Sequence, residues 1–256
     1  MKSLYMGLDL GSRDVKVAIM KSGRSFELQK LNTIQFYREH SKKEAGQLVI
    51  DFESLGLSAV CGVVTATGYG RQTVNVKGAR TIPEVMAHVL GAAHLTGLKD
   101  FTLLDLGGQD SKVALVRGGR VVDFLTNDKC AASTGRYLEN MAAVLNISLE
   151  ELSLNHLSPV ELTSTCAIFG ESELIGKIVE GHSIASLAAG VNHSIFKRIH
   201  PMLAKLTSET IVFTGGVANN GALREIIREE LGVKVIVPDK PEYAGAVGCC
   251  VDAAKK

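Results

Sequence analysis

Two stretches of this chain repeat the same chemical groups at the same intervals. Residues 8–24 read LDLGSRDVKVAIMKSGR and residues 104–120 read LDLGGQDSKVALVRGGR, with ten of 17 aligned positions identical and no gap. In each copy an apolar run reaches an aspartate (Asp9, Asp105), passes a glycine turn (Gly11; Gly107 and Gly108) and resumes with a lysine (Lys16, Lys112). Glycine leaves successive N–H groups uncovered, so they can converge on an anion. A carboxylate at the strand end suits Mg2+, usually held through water because that ion keeps much of its hydration shell. A single Asp-x-Gly turn would read as an ordinary hairpin. Two copies in register predict a phosphate clamp, with the lysines adding positive charge. A third glycine turn lies in IVFTGGVANNGALREII (211–227), where Gly215 and Gly216 join a strand to a helix starting near Asn219. Such a junction offers bare backbone and a helix N-terminus to a ligand. It is neither a Walker A loop nor a dinucleotide fingerprint.

The cysteines form the second chemical signal. There are five, Cys61, Cys130, Cys166, Cys249 and Cys250, and no C-x-x-C pair, which argues against disulfides and zinc ribbons. Cys61, Cys249 and Cys250 sit in apolar or small-residue runs and read as core. Cys130 in NDKCAASTGRYLENMAAVL and Cys166 in STCAIFGESELIGKIV stand at or just before helix patterns. A helix N-terminus lowers a thiol's pKa and stabilises an anionic centre. Glu171 and Glu173 could reach the nucleotide or cap a helix, and the sequence leaves both open. Glu84 and His88, four apart on one helix face, have metal-ligand spacing. With no third ligand nearby they read as a polar pair lining a cleft. His182, His193 and His200 read as polar positions of an amphipathic helix.

Positioning these groups requires strands that end at the turns. The pattern predicts strands at 4–10, 14–20, 25–37 and 59–65, a helix over 41–56 and another over 84–96. It restarts with strands 101–106, 111–117 and 119–126, then helices near 131–146, 167–180 and 183–206. Strand 210–214, helix 219–231, a short strand at 233–237 and a helix from about 241 complete it. Strands followed by helices, twice, make an α/β protein with mixed sheets around a cleft, with halves at 1–97 and 98–256. The C-terminal helix is left open to pack back on the first half. A net charge of +1 over 256 residues lacks the footprint of a nucleic-acid binder. No apolar run approaches the roughly 20 residues of a membrane span, and no signal-peptide pattern opens the chain. A cytoplasmic protein is expected.

Two phosphate hairpins and a late GG turn resemble the actin, hexokinase and heat-shock-chaperone ATPase superfamily. That resemblance implies two ribonuclease-H-like halves binding ATP and Mg2+ between them. It places Asp9, Gly11, Ser12, Arg13 and Lys16 in the first phosphate loop, and Asp105, Gly107, Gly108 and Gln109 in the second. Gly215, Gly216 and Asn219 would lie by the adenosine, Asp9 and Asp105 by Mg2+, and Gln109 would orient the attacking water. The Asp-x-Gly-Ser opening, TGYGR, DLGGQDSK, NDKCAA, the segment after Cys166 and TGGVA together resemble the BadF/BadG/BcrA/BcrD ATPases. This family includes activators of 2-hydroxyacyl-CoA dehydratases and ATPase subunits of benzoyl-CoA reductases. By that resemblance Cys130 and Cys166 hold one 4Fe–4S cluster shared across a homodimer, and two thiolates from each of two chains make the four it needs. The resemblance further implies a ferredoxin or flavodoxin as electron donor and a partner iron–sulfur dehydratase or reductase as acceptor. Ser133, where the family more often has glycine, and Arg13 with Asp14 depart from the pattern. A small-molecule kinase acting on a sugar or acyl group, with Asp105 or Asp110 as base, explains the clamp but leaves the cysteine segments unexplained.

Overall fold

The structure is a computed structural model that describes residues 4–20, 25–44, 47–51, 54, 63–68, 74–76, 78–127, 134–164 and 167–255. The chain divides into two compact units: Met1–Lys99 with Tyr243–Lys256, and Asp100–Glu242.

The first unit contains β1 (Tyr5–Leu10), β2 (Asp14–Met20), β3 (Phe26–Asn32), α1 (Thr33–Glu39), β4 (Ser41–Glu44), β5 (Gln47–Ile50), β6 (Val63–Thr67), β7 (Val74–Asn75), β8 (Ala79–Thr81) and α2 (Glu84–Thr96). The second contains β9 (Phe101–Leu106), β10 (Ser111–Arg117), β11 (Arg120–Asn127), α3 (Gly135–Leu145), α4 (Leu149–Leu152), α5 (Ala167–Val179), α6 (Ile184–Leu206), β12 (Thr210–Thr214), α7 (Gly221–Leu231) and β13 (Lys234–Ile236). The last helix, α8 (Ala244–Ala253), belongs to the first unit.

The sequence repeat is also a repeat of topology. Beside a three-stranded sheet, β4-β5-β7, there are two five-stranded sheets, β3-β2-β1-β6-β8 and β11-β10-β9-β12-β13, each with an antiparallel meander followed by two parallel strands. In the ladders Asp9 stands opposite Lys16 and Thr67, and Asp105 opposite Lys112 and Thr214. The repeated aspartate and lysine are therefore cross-strand neighbours. The sheets also share a feature that the sequence alignment did not reveal. Gly68 after β6 and Gly215 after β12 have φ of +99° and +85°, and a Cβ there would lie 2.6 Å from Leu10 O and 2.2 Å from Leu106 O respectively. The Thr67-Gly68 and Thr214-Gly215 dipeptides are equivalent turns, each needing glycine because the chain passes against the strand that bears the hairpin aspartate.

Central strands β1 and β9 are buried almost throughout, consistent with near-continuous apolar runs covered on both faces. In the second unit Leu104, Leu106, Val113 and Phe213 pack against Tyr137, Met141, Leu187 and Ile195 from α3 and α6. Full burial of each such side chain contributes about 1.5–3 kcal/mol. In the first unit α2 and α8 approach each other through small residues. A Cβ on Gly91 would lie 1.8 Å from Ala244 O, and one on Gly248 1.8 Å from Ala87 O. Any side chain at either position would force the helices apart.

Three segments differ from the sequence expectation. Residues 33–37 are helical rather than strand, because the Asn32 side chain accepts from the Ile34 and Gln35 N–H groups and starts α1. The described residues of 41–56 include β4 and β5 instead of a helix, paired Ser41 to Ile50 and extended by β5–β7 pairing. Here tertiary pairing overrides the helical periodicity. The short helix α4 was not expected; Ser148 and Glu151 form its capping box.

Candidate functional site

In the first unit the hairpin turn is fastened from below by α1. The Thr33 hydroxyl donates to Gly11 O at 2.8 Å and the Thr33 N–H to Arg13 O at 3.0 Å. Thr33 is a site residue that sequence reading missed, since its segment looked extended; the Asn32 cap was the available signal. A Cβ on Gly11 would sit 2.6 Å from Asp14 O and 3.4 Å from Lys16 Nζ, so the Lys16 ammonium lies over the turn. Asp9 is buried, Gly11 and Ser12 are half-buried, and Arg13 is exposed with its guanidinium 3.9 Å from Asp14.

In the second unit Asp105 is buried and doubly partnered. Its Oδ1 accepts from the Thr214 hydroxyl at 2.8 Å, and its Oδ2 lies 3.7 Å from Lys112 Nζ. Lys112 is itself buried and stands 2.5 Å from Asp110 Oδ2. Its charge is thus committed to the two carboxylates, a role distinct from the expected one of adding charge at a phosphate, and it offsets the cost of burying Asp105. Asp110 is tied to that lysine as well. The turn closes by a Gly107 N–H to Asp110 O bond of 2.9 Å, and Gln109 is exposed on it.

The third glycine turn joins the second hairpin. A Cβ on Gly135 would meet Gly107 O at 3.4 Å, Val217 at 3.5 Å and Gly108 at 3.7 Å, which places hairpin, GG turn and the start of α3 together. The helix expected from Asn219 is preceded by a 3-10 turn, Gly216–Asn219. The α-helix begins at Gly221, where the Asn220 side chain caps it by accepting from Leu223 N–H at 2.9 Å. Gly216 and Asn219 are exposed while Gly215 is buried. The two strand-end carboxylates among glycines supply oxygen donors of the type Mg2+ prefers.

Cys61, Cys130, Cys166 and Ser133 lie outside the described residues. Cys249 and Cys250 are buried. The described residues nearest to Cys130 and Cys166 in sequence belong to β11 and α3, and to α5 and the segment before it. The α3 helix begins at Gly135, five residues past Cys130, and its first two amides are already engaged: Gly135 N–H donates to Gly107 O at 3.0 Å and Arg136 N–H to Gly108 O at 3.2 Å. Its N-terminus therefore grips the second phosphate hairpin. The α5 helix begins at Ala167, directly after Cys166. The segment before it is clamped on both sides. Glu173 accepts from Thr163 N–H (2.8 Å) and Ser164 N–H (2.9 Å), while Arg198 donates to Ser164 O at 2.7 Å. Arg198 also lies over the Tyr137 ring of α3, 4.4 Å from its centroid. One α6 arginine thus touches both cysteine-bearing segments.

The alternatives left open for Glu173 resolve toward the backbone it caps. Burial acts to raise its carboxyl pKa, but hydrogen bonds from Thr163 and Ser164 outweigh this and hold it below the ordinary range. A lowered folded-state pKa adds stability that is present above the unfolded value of about 4.3 and disappears as pH falls through the folded value. Glu173→Gln is expected to destabilise the protein by at most about 1 kcal/mol near neutrality, after discounting for solvent screening. In urea unfolding from pH 7 to pH 3 the gap between variant and parent should close on the acid side; a gap independent of pH would contradict the assignment.

The histidines of α6 make separate contacts, His193 Nε2 with His156 O at 2.9 Å and His200 with the Phe196 ring. Among the described residues, no helix is long and apolar enough to cross a membrane.

Comparison with known proteins follows the same lines. The family model described as BadF/BadG/BcrA/BcrD ATPase family matches residues 6–253. The (R)-2-hydroxyglutaryl-CoA dehydratase activating ATPase of Acidaminococcus fermentans is 32% identical over 260 residues, covering 99% of this chain and 98% of its own. The solved activator of the 2-hydroxyisocaproyl-CoA dehydratase from Clostridium difficile, with bound ADPNP, superposes with a TM-score of 0.83 at 31% identity over 100% of this chain and 95% of its own. A ROK family glucokinase from Streptomyces griseus shares the fold alone, with a TM-score of 0.61 at 12% identity over 99% of this chain and 100% of its own.

Proposed function

Since the chain belongs to the BadF/BadG/BcrA/BcrD ATPase family, we propose that it is a homodimeric reductive activase. In this reading ATP binding and hydrolysis drive single electrons, at low potential, from a ferredoxin or flavodoxin to a partner iron–sulfur enzyme, a 2-hydroxyacyl-CoA dehydratase or a related double-cubane cluster protein. The hairpin of each unit is, in this reading, a phosphate loop. Backbone N–H groups at Gly11, Ser12 and Gly108, with Lys16 and Arg13, hold the phosphates, Gly107 keeps the second turn clear of a side chain, and Gly215, Gly216 and Asn219 serve the adenosine. Asp9 and Asp105 would hold Mg2+, which neutralises phosphate charge when bound, and Gln109 would orient the attacking water. Cys130 and Cys166, two from each of two chains, would hold a 4Fe–4S cluster, which supplies one-electron chemistry when bound.

The observation that carries this reading is the contact between the second phosphate hairpin and α3. The carbonyls of Gly107 and Gly108 bind the first two amides of the helix that follows Cys130. A change at the phosphate turn must move that helix or break those bonds. Arg198, bridging Tyr137 and Ser164, extends the same mechanical link to the segment before Cys166. Nucleotide shifts the protein between states only by binding one better than the other, and these bonds give it something to act on.

Anaerobic isolation tests the proposal. It expects a brown, oxygen-bleachable dimer with four irons per two chains that hydrolyses ATP without phosphorylating a metabolite. A colourless monomer that transfers phosphate to a sugar or acyl group would instead establish the kinase reading.

A further inference from the structure

The α2 pair set aside in the sequence for want of a third ligand has one in the fold. Asp9, 75 positions before Glu84 in the chain, presents its carboxylate to the same point, and one ligand atom each from Asp9, Glu84 and His88 lie within 4.8 Å of one another. Asp9 and His88 are 3% and 5% exposed, so this is an interior group and not a solvated acidic patch. His88 Nε2 stands 3.9 Å from Glu84 Oε1, the i,i+4 spacing that puts both on one helix face. A second observation comes from α8. A Cβ on Gly245 would lie 2.8 Å from Asp9 Oδ2 and 2.9 Å from His88 Nε2, so the two donor atoms converge on a space that only glycine keeps open. The surroundings are electronegative. Burial pushes the Cys249 thiol well up, and the charges of Asp9, Asp252 and Glu84 add to it.

We propose that Asp9, Glu84 and His88, around the gap left by Gly245, form a divalent-cation site held by protein ligands alone. Two carboxylate oxygens and one imidazole nitrogen suit a first-row transition ion such as Mn2+ rather than Mg2+, which avoids nitrogen donors. All the ligands and the glycine belong to the first unit, so the site can be assayed without nucleotide; Asp9 is the one residue it shares with the Mg2+ role proposed above.

The test adds Mn2+ alone to the nucleotide-free protein, a probe for which cysteine thiolates compete poorly. Free Mn2+ is followed by its electron paramagnetic resonance signal, and the bound ion is examined for nitrogen hyperfine coupling. One ion per chain with coupling to a single nitrogen is expected. His88→Ala should abolish that coupling and weaken binding by more than about tenfold, the loss that even outer-shell partners of a metal cause. Gly245→Ala should weaken binding while removing no ligand. Absence of binding, bound Mn2+ without nitrogen coupling in the unmodified protein, or coupling that survives His88→Ala would each overturn the site. Mg2+-dependent ATP hydrolysis, which shares Asp9 with this site, is scored separately and decides neither outcome.

Discussion

Cys166→Ser, and separately Cys130→Ser, is expected to abolish activation of the partner enzyme while the protein still binds ATP. Each substitution removes one of two thiolates per chain, and therefore two of the four a shared 4Fe–4S cluster requires. Serine is close in size to cysteine, and the clamps that fix the neighbouring backbone do not use the thiol. Glu173 and Arg198 hold Ser164 from both sides, and Gly107 and Gly108 hold the start of α3. The folded nucleotide-binding units should therefore survive. The measurement is iron content and the electronic spectrum after anaerobic reconstitution, alongside equilibrium binding of an ATP analogue. An intact 4Fe–4S spectrum in both variants would sink the assignment of these cysteines.

The second large effect concerns the second hairpin. Asp105→Asn should lower the ATP hydrolysis rate by about 10²-fold or more, the scale lost when a preorganised group opposite developing charge is removed. The fold should tolerate the change. Lys112 keeps its partner at Asp110, 2.5 Å away, and an asparagine Oδ1 can still accept from Thr214. A buried lysine stranded with no carboxylate would be a different case, costing several kcal/mol. Hydrolysis within threefold of the parent would remove Asp105 from the chemistry and leave it a structural partner of Lys112. Raising Mg2+ should recover part of the loss if the carboxylate acts by holding that ion, because mass action refills a weakened site.

Much of this was legible in the chain because it is written twice. The aspartate, glycine and lysine of each hairpin recur at fixed spacing, and the two sheets repeat strand order and direction. Strands β9, β10 and β12 and helix α2 match the expected ranges because their apolar runs end at glycine, proline or a charged turn. The equivalence of Gly68 and Gly215 was not visible, since beyond a shared Thr-Gly dipeptide the flanking residues differ, and the positive φ and the approach to Leu10 and Leu106 reveal it. Residues 33–37 were misread because Ile34, Phe36 and Tyr37 look like strand residues, and a single asparagine cap decides for helix. The grouping of Asp9 with Glu84 and His88 depends on how α2 packs on α8 and α8 on β1, which no local pattern encodes. Arg198 had no motif at all; its place between Tyr137 and Ser164 emerges only when α3, α5 and α6 assemble.

The family is shown by the match over residues 6–253, but delivery of an electron on ATP's account is the step that distinguishes this reading from a kinase of the same fold. Single-turnover electron transfer tests it most directly. The anaerobically reduced protein is mixed with the oxidised partner iron–sulfur enzyme, and the acceptor's reduction is followed by rapid-freeze electron paramagnetic resonance. The account predicts that the acceptor is reduced by one electron when ATP and Mg2+ are present and stays oxidised with ADP. Equal reduction with and without ATP, or none under either condition while ATP is hydrolysed, would contradict it.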